Sequence, residues 1–76
     1  MKANRAYELR VSKGGRRFDP RRVDSIEVLE IDTGEIALFW DLDPHDTGRM
    51  ARALRADLAQ LEADDFLVKW SRWQSG

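Results

Sequence analysis

The chain has 76 residues, with 13 basic and 14 acidic side chains, one histidine and no cysteine, for a formal net charge of −1. A chain this short removes only about 60% of its unfolded surface from water, so it supports one small core. Its composition excludes a disulfide scaffold, a Cys/His zinc site and thiolate chemistry, and no stretch approaches the roughly 20 apolar residues of a membrane span.

The near-neutral total hides a segregation. Residues 1–22 hold eight basic and two acidic groups, residues 23–48 eight acidic and no basic ones, and residues 49–76 five basic and four acidic ones, which is +6, −8 and +1. Such a split governs which surfaces attract which partners and carries no catalytic signature. Ten of the thirteen bases are arginine.

In chain order, residues 1–5 are expected to fray, and Ala6 to Ser12 alternate, with Tyr7, Leu9 and Val11 on one side and Glu8, Arg10 and Ser12 on the other. That is the period of a half-buried strand. Gly14-Gly15 breaks it, and the polar segment through Asp19-Pro20-Arg21-Arg22 reads as an extended connection. A second strand over about Ser25 to Ile31 changes parity between Val28 and Leu29, which a bulge there reconciles. Asp32-Thr33-Gly34-Glu35 then makes a hairpin turn. The third strand, Glu35 to Asp41, contains Ile36-Ala37-Leu38-Phe39-Trp40. It is apolar at both parities, as expected of an interior strand covered on two faces.

Asp43-Pro44-His45-Asp46 is a helix start, with Asp43 as N-cap, Pro44 at the first helical position and Asp46 at the capping-box position. Met50, Leu54, Leu58 and Leu61, joined by Ala51, make a core-facing stripe to about Ala63. From Asp65 to about Trp73, Phe66, Val68 and Trp70 alternate against Leu67 and Trp73, the pattern of a fourth strand. Residues 74–76 are expected to fray. The expected fold is therefore α+β, one domain over 1–76, ordered βββαβ. It is a four-stranded mixed sheet with one amphipathic helix on one face, and strand four lies beside strand three or, alternatively, strand one.

One helix covers one sheet face, and its stripe is expected to meet Tyr7, Leu9, Val11, Leu38, Trp40, Phe66, Val68 and Trp70. Leu29, Ile31, Phe39, Leu67 and Trp73 are left on the other face as an apolar surplus. Exposed patches of that kind mark interaction sites, most often twofold ones. The expectation is a cytoplasmic protein-interaction module, a homodimer or the binder of a protein partner, with no membrane association, cofactor or metal.

A second set of residues suits anions. Lys13, Arg16, Arg17, Arg21 and Arg22 lie within ten positions around Phe18, and Arg49, Arg52 and Arg55 stripe the helix near the end whose dipole disfavours cations. These residues define the alternative, a nucleic-acid-binding domain. Against it stand the net charge and the acids of strand two, which offer Arg10 and Arg22 neighbours to pair with.

Phe39-Trp40-Asp41-Leu42-Asp43-Pro44 resembles the opening motif of haloacid-dehalogenase-type phosphatases, an apolar strand running into Asp-x-Asp. The resemblance implies a nucleophile at Asp41 and a general acid at Asp43. It spans six residues, departs from the family at Pro44 and His45, and lacks the family's large doubly wound domain, so a strand end entering a helix cap is the reading adopted. Asp41, Asp43, His45 and Asp46 gather oxygen and imidazole donors, but at a spacing that fits no defined metal loop. Three strands before a helix are also similar to double-stranded-RNA-binding domains, though Gly48-Arg49-Met50-Ala51-Arg52 lacks the lysines those helices carry at their start. No nucleophile elbow, zinc-protease motif or phosphate-binding glycine loop occurs, and no enzymatic activity is expected.

Overall fold

A computed structural model describes residues 1–12 and 24–73 of the chain. The elements are α1 (Ala3–Ala6), β1 (Tyr7–Ser12), β2 (Asp24–Glu30), β3 (Ile36–Leu42), α2 (Pro44–Gln60) and α3 (Ala63–Ser71). The class is α+β, but among the described residues the sheet has three strands, all antiparallel, in the order β1-β2-β3. The expected four-stranded mixed sheet under one helix is thus replaced by a three-stranded sheet under two longer helices and a one-turn helix. Among the described residues no helix is long and apolar enough to cross a membrane.

The difference lies in α3, which occupies the segment read as a fourth strand. Phe66, Val68 and Trp70 alternate, but Ala63, Phe66, Leu67 and Trp70 also recur at i, i+3, i+4 and i+7, and the helical spacing is the one realised. Asp64 and Asp65 in the first turn and Lys69 in the last oppose the helix dipole at both ends. Phe66 and Trp70 are buried, whereas Val68, which a strand would have turned inward, is 58% exposed. Leu67 packs against the core from the helix layer.

β1 and β2 pair in regular register from Tyr7↔Glu30 to Ser12↔Ser25. Between β2 and β3 the register shifts at Val28/Leu29: Val28 faces Leu38, but Leu29 faces Ile36. The register shift falls at Val28/Leu29 as expected, but the extra residue, Ala37, is on β3, so β2 keeps its own alternation and the change of parity within it is not reconciled. The hairpin closes through Glu30 N–H to the Glu35 carbonyl and Gly34 N–H to the Glu30 carbonyl, both 2.8 Å. The Thr33 hydroxyl donates to the Glu30 carboxylate at 3.0 Å and accepts from the Glu35 N–H at 3.1 Å. Gly34 sits at φ +73°, in the left-handed region that glycine enters without a Cβ penalty.

Among the described residues β3 is an edge strand, not the interior strand that its two-sided apolar character predicts. α2 follows directly from it, capped by the Asp43 carboxylate, which accepts the His45 N–H at 2.9 Å. Its stripe buries Thr47, Ala51, Leu54 and Leu58 on the sheet, with Met50 and Leu61 partly covered.

The helix stops at Gln60, short of Ala63, because the next residues turn to meet the amino terminus. Ala3 N–H bonds the Leu61 carbonyl and Ala63 N–H bonds the Met1 carbonyl, each at 2.9 Å, and Lys2 and Glu62 form an isolated bridge. Residues 1–5 are therefore docked, and Ala3 has no exposure at all. The core joins Ala3, Ile26, Val28, Leu38, Trp40, Ala51, Leu54, Leu58, Phe66 and Trp70. Phe66 stacks on Tyr7 with centroids 5.8 Å apart, and Trp70 meets Trp40 edge-on at 6.0 Å.

Candidate functional site

Three surfaces remain after the core is closed. The first is the sheet face away from the helices. Its polar residues stand over β1 and the start of β2, with Glu8, Arg10, Ser25 and Glu27 alternating against inward neighbours. Its apolar residues gather at the β2–β3 hairpin. The Val28/Leu29 bulge turns Ile36 onto this face opposite Leu29, beside Ile31 two residues on and Phe39 opposite Glu27. Leu29 is only 6% exposed, Ile31 50%, Ile36 54% and Phe39 42%.

The expected interface therefore divides. Leu29, Ile31 and Phe39 share this face, whereas Leu67 and Trp73 belong to the helix layer, because α3 is not a strand. Ile36 takes part although the alternation of the third strand put it with Leu38 and Trp40. Parity marks a bulge but does not say which strand holds the extra residue.

The second surface is a groove of about 490 Å3 between β3, α2 and the end of α3, lined by Trp40, Leu42, Met50, Trp70 and Trp73 with Ala53 and Ala56 on its floor. It gathers all three tryptophans of the chain. The Trp40 indole N–H donates to the Trp73 carbonyl at 3.1 Å, and that of Trp70 donates to the Asp57 carboxylate at 2.9 Å. Asp57 and Lys69, the charged residues of the lining, pair at 2.6 Å, and the Lys69 ammonium lies 5.6 Å from the Trp70 ring centroid. The groove is thus apolar with its polar atoms already matched, a surface suited to apolar side chains rather than ions. The interleaved aromatic and basic positions 66–73 could have revealed it had they been read at helical spacing.

The third surface is a groove of about 810 Å3 lined by Val11, Asp24, Thr47, Gly48, Arg52 and Arg55 among others. Arg52 and Arg55 thus face the end of the sheet where β1 finishes and β2 begins. Arg49 stands apart, 3.7 Å from Asp46 in a highly exposed pair. Lys13, Arg16, Arg17, Arg21 and Arg22 lie outside the described residues.

Asp43 is engaged as the helix cap, the sheet behind it is antiparallel rather than doubly wound, and among the described residues no three His, Cys, Asp or Glu side chains are grouped to hold a metal ion.

Among the described residues two titratable groups depart from their ordinary values. Burial raises the Tyr7 phenol, with the Glu30 and Asp64 carboxylates adding to the effect. The hydrogen bond from the amino-terminal ammonium, 2.7 Å away, lowers the Glu62 carboxyl, helped by its charge.

No family model matches the chain, and no curated protein or solved structure is significantly similar to it.

Proposed function

We propose that the protein is a small interaction module that self-associates through the sheet face left open by the helices. The observation that supports this reading is the bulge-built cluster at the β2–β3 hairpin. Ile36 is brought opposite Leu29, so two half-exposed isoleucines, Ile31 and Ile36, flank a leucine that is already buried. Apolar side chains gathered on one side of a thin sheet gain by being removed from water together, and a twofold contact achieves this with one patch. The cysteine-free chain needs no oxidising compartment, and a cytoplasmic setting is part of the same reading.

Light scattering or sedimentation across a concentration series tests it. The expected result is twice the chain mass at micromolar concentration, shifting to a single chain in Ile36→Asp but not in Val68→Asp, which places the same charge on an exposed part of α3. A single-chain mass throughout, up to high micromolar concentration, overturns the proposal.

A second reading, binding of a nucleic acid, draws on the groove lined by Arg52 and Arg55. Arg52 and Arg55 line it together with Val11 and Asp24, two cations facing one concave surface. Binding to single-stranded RNA or DNA should then weaken steeply with salt, and Arg52→Gln with Arg55→Gln should lower the slope by about two ion equivalents. Absence of binding at low ionic strength removes this reading.

A further inference from the structure

The strand with the most apolar sequence in the chain is the one at the sheet edge. β3 holds Ile36, Ala37, Leu38, Phe39 and Trp40 in succession, and among the described residues no strand pairs with its outer side. Edge strands are normally blunted by lysine, proline, inward charges or a covering segment, because about half of their backbone N–H and C=O groups point outward and template another strand. β3 contains no lysine and no proline, and its bulge lies at one end, leaving Leu38 to Leu42 regular. Beside that regular stretch opens the tryptophan groove, which begins at Trp40 and Leu42. Edge and groove adjoin one another on the helix side of the sheet, and the edge borders the open face at Phe39 and Asp41.

Charge selects the occupant. Glu35 and Asp43 flank the strand and Asp41 lies within it, all exposed, and none of them has an ion pair among the described residues. No base occurs anywhere from residue 23 to residue 48. A second copy of β3 laid antiparallel would bring the same acids together, which disfavours self-pairing at this edge. A strand that alternates apolar and basic side chains fits instead. Its apolar residues lie over the groove on the side of Trp40 and Leu42, and its lysines or arginines meet Asp41 and the flanking acids.

We propose that β3 and the tryptophan groove form a docking site for an extended basic segment of a partner protein, which adds a fourth, edge strand to the sheet. Backbone hydrogen bonds supply the pairing, the groove reads the alternate apolar side chains and the acids read the bases between them. The role differs from self-association in using the backbone edge and the groove, although Asp41 stands on the open sheet face with Phe39.

The test selects from a displayed library of random nine-residue peptides on the full chain, then titrates the enriched peptide, following tryptophan emission and the backbone amide shifts of Ile36–Leu42. The expected outcome is enrichment of apolar residues alternating with lysine or arginine, amide shifts along β3 and a blue shift of the emission. Affinity should fall about tenfold or more in Trp73→Ala, as for a central aromatic contact, and severalfold in Asp41→Asn and on raising salt from 50 to 500 mM. Trp73 is 67% exposed, so its truncation leaves the core intact, which far-UV circular dichroism checks. No enrichment, enrichment of acidic or purely apolar peptides, shifts confined to other elements, or affinity indifferent to both substitutions overturns the proposal. So does doubling of mass with cross-linking between single cysteines placed on β3, which would make a second copy the occupant.

Discussion

Asp57 on α2 accepts the indole N–H of Trp70 on α3 at 2.9 Å, and this bond fixes how the two helices meet. Trp70 is only 8% exposed, so its N–H has little water to turn to if the carboxylate is removed. Lys69 reaches the same oxygen at 2.6 Å, but its side chain is about half exposed. Asp57→Ala should therefore cost about 1–3 kcal/mol through the stranded donor, and Lys69→Ala less than about 1 kcal/mol as a surface pair. Urea denaturation of both variants checks the order, and equal costs would contradict the assignment.

The second prediction concerns α3 as a helix. Phe66 is fully buried against Tyr7 and Trp70, so Phe66→Ala should cost about 3–5 kcal/mol. Val68, two residues on, points to solvent, and Val68→Asp should change stability by no more than about 0.5 kcal/mol. Under a strand both residues would face the core and both substitutions would be severe. Thermal unfolding of the pair thus separates the two conformations.

That segment shows why part of the fold was legible and part was not. Where one period is unambiguous, as in Tyr7–Leu9–Val11 or the Met50–Leu58 stripe, residue spacing alone identifies the element. Local chemistry identified the Asp43-Pro44 cap, the Thr33-Gly34 turn and the position of the bulge, because each depends on groups within a few residues. Positions 63–71 satisfy periods of 2 and 3.6 together, and the decision is made by Phe66 and Trp70 packing on Tyr7 and Trp40, contacts between distant parts of the chain. The strand order is non-local for the same reason. Ile36–Trp40 looks interior because both its faces are apolar, yet only pairing partners decide which strand is central. The candidate surfaces inherit these errors: Leu67 and Trp73 moved to the helix layer with α3, and Ile36 joined Leu29 through the bulge.

Two glycines should respond oppositely to alanine. Gly34 holds the hairpin at φ +73°, so Gly34→Ala should destabilise by about 1 kcal/mol through backbone strain although no atom lies within 4 Å of the new Cβ. Gly48 lies in the first turns of α2 with equally open space, so Gly48→Ala should stabilise by about 0.5–1 kcal/mol through helix propensity. The midpoints of chemical denaturation are expected to move in opposite directions, and a common sign would show that one of the two backbone settings is wrong.

The clasp between the amino terminus and Glu62 gives a pH dependence of known sign. The Glu62 carboxyl is held below its ordinary value of 4.5 by the ammonium bond at 2.7 Å. A carboxyl depressed in the folded state contributes stability that is present above the unfolded value and lost as pH falls through the folded one. The contribution is small because the pair is more than half exposed on both sides, and it falls with added salt. Glu62 should therefore titrate below the ordinary glutamate value in carboxyl NMR spectra, and acetylating the amino terminus should return it towards that value. Glu62→Gln should flatten the acid limb of stability without affecting Ala3, which is held by the backbone bond to Leu61. A Glu62 titration that ignores acetylation would mean that the ammonium is not its partner.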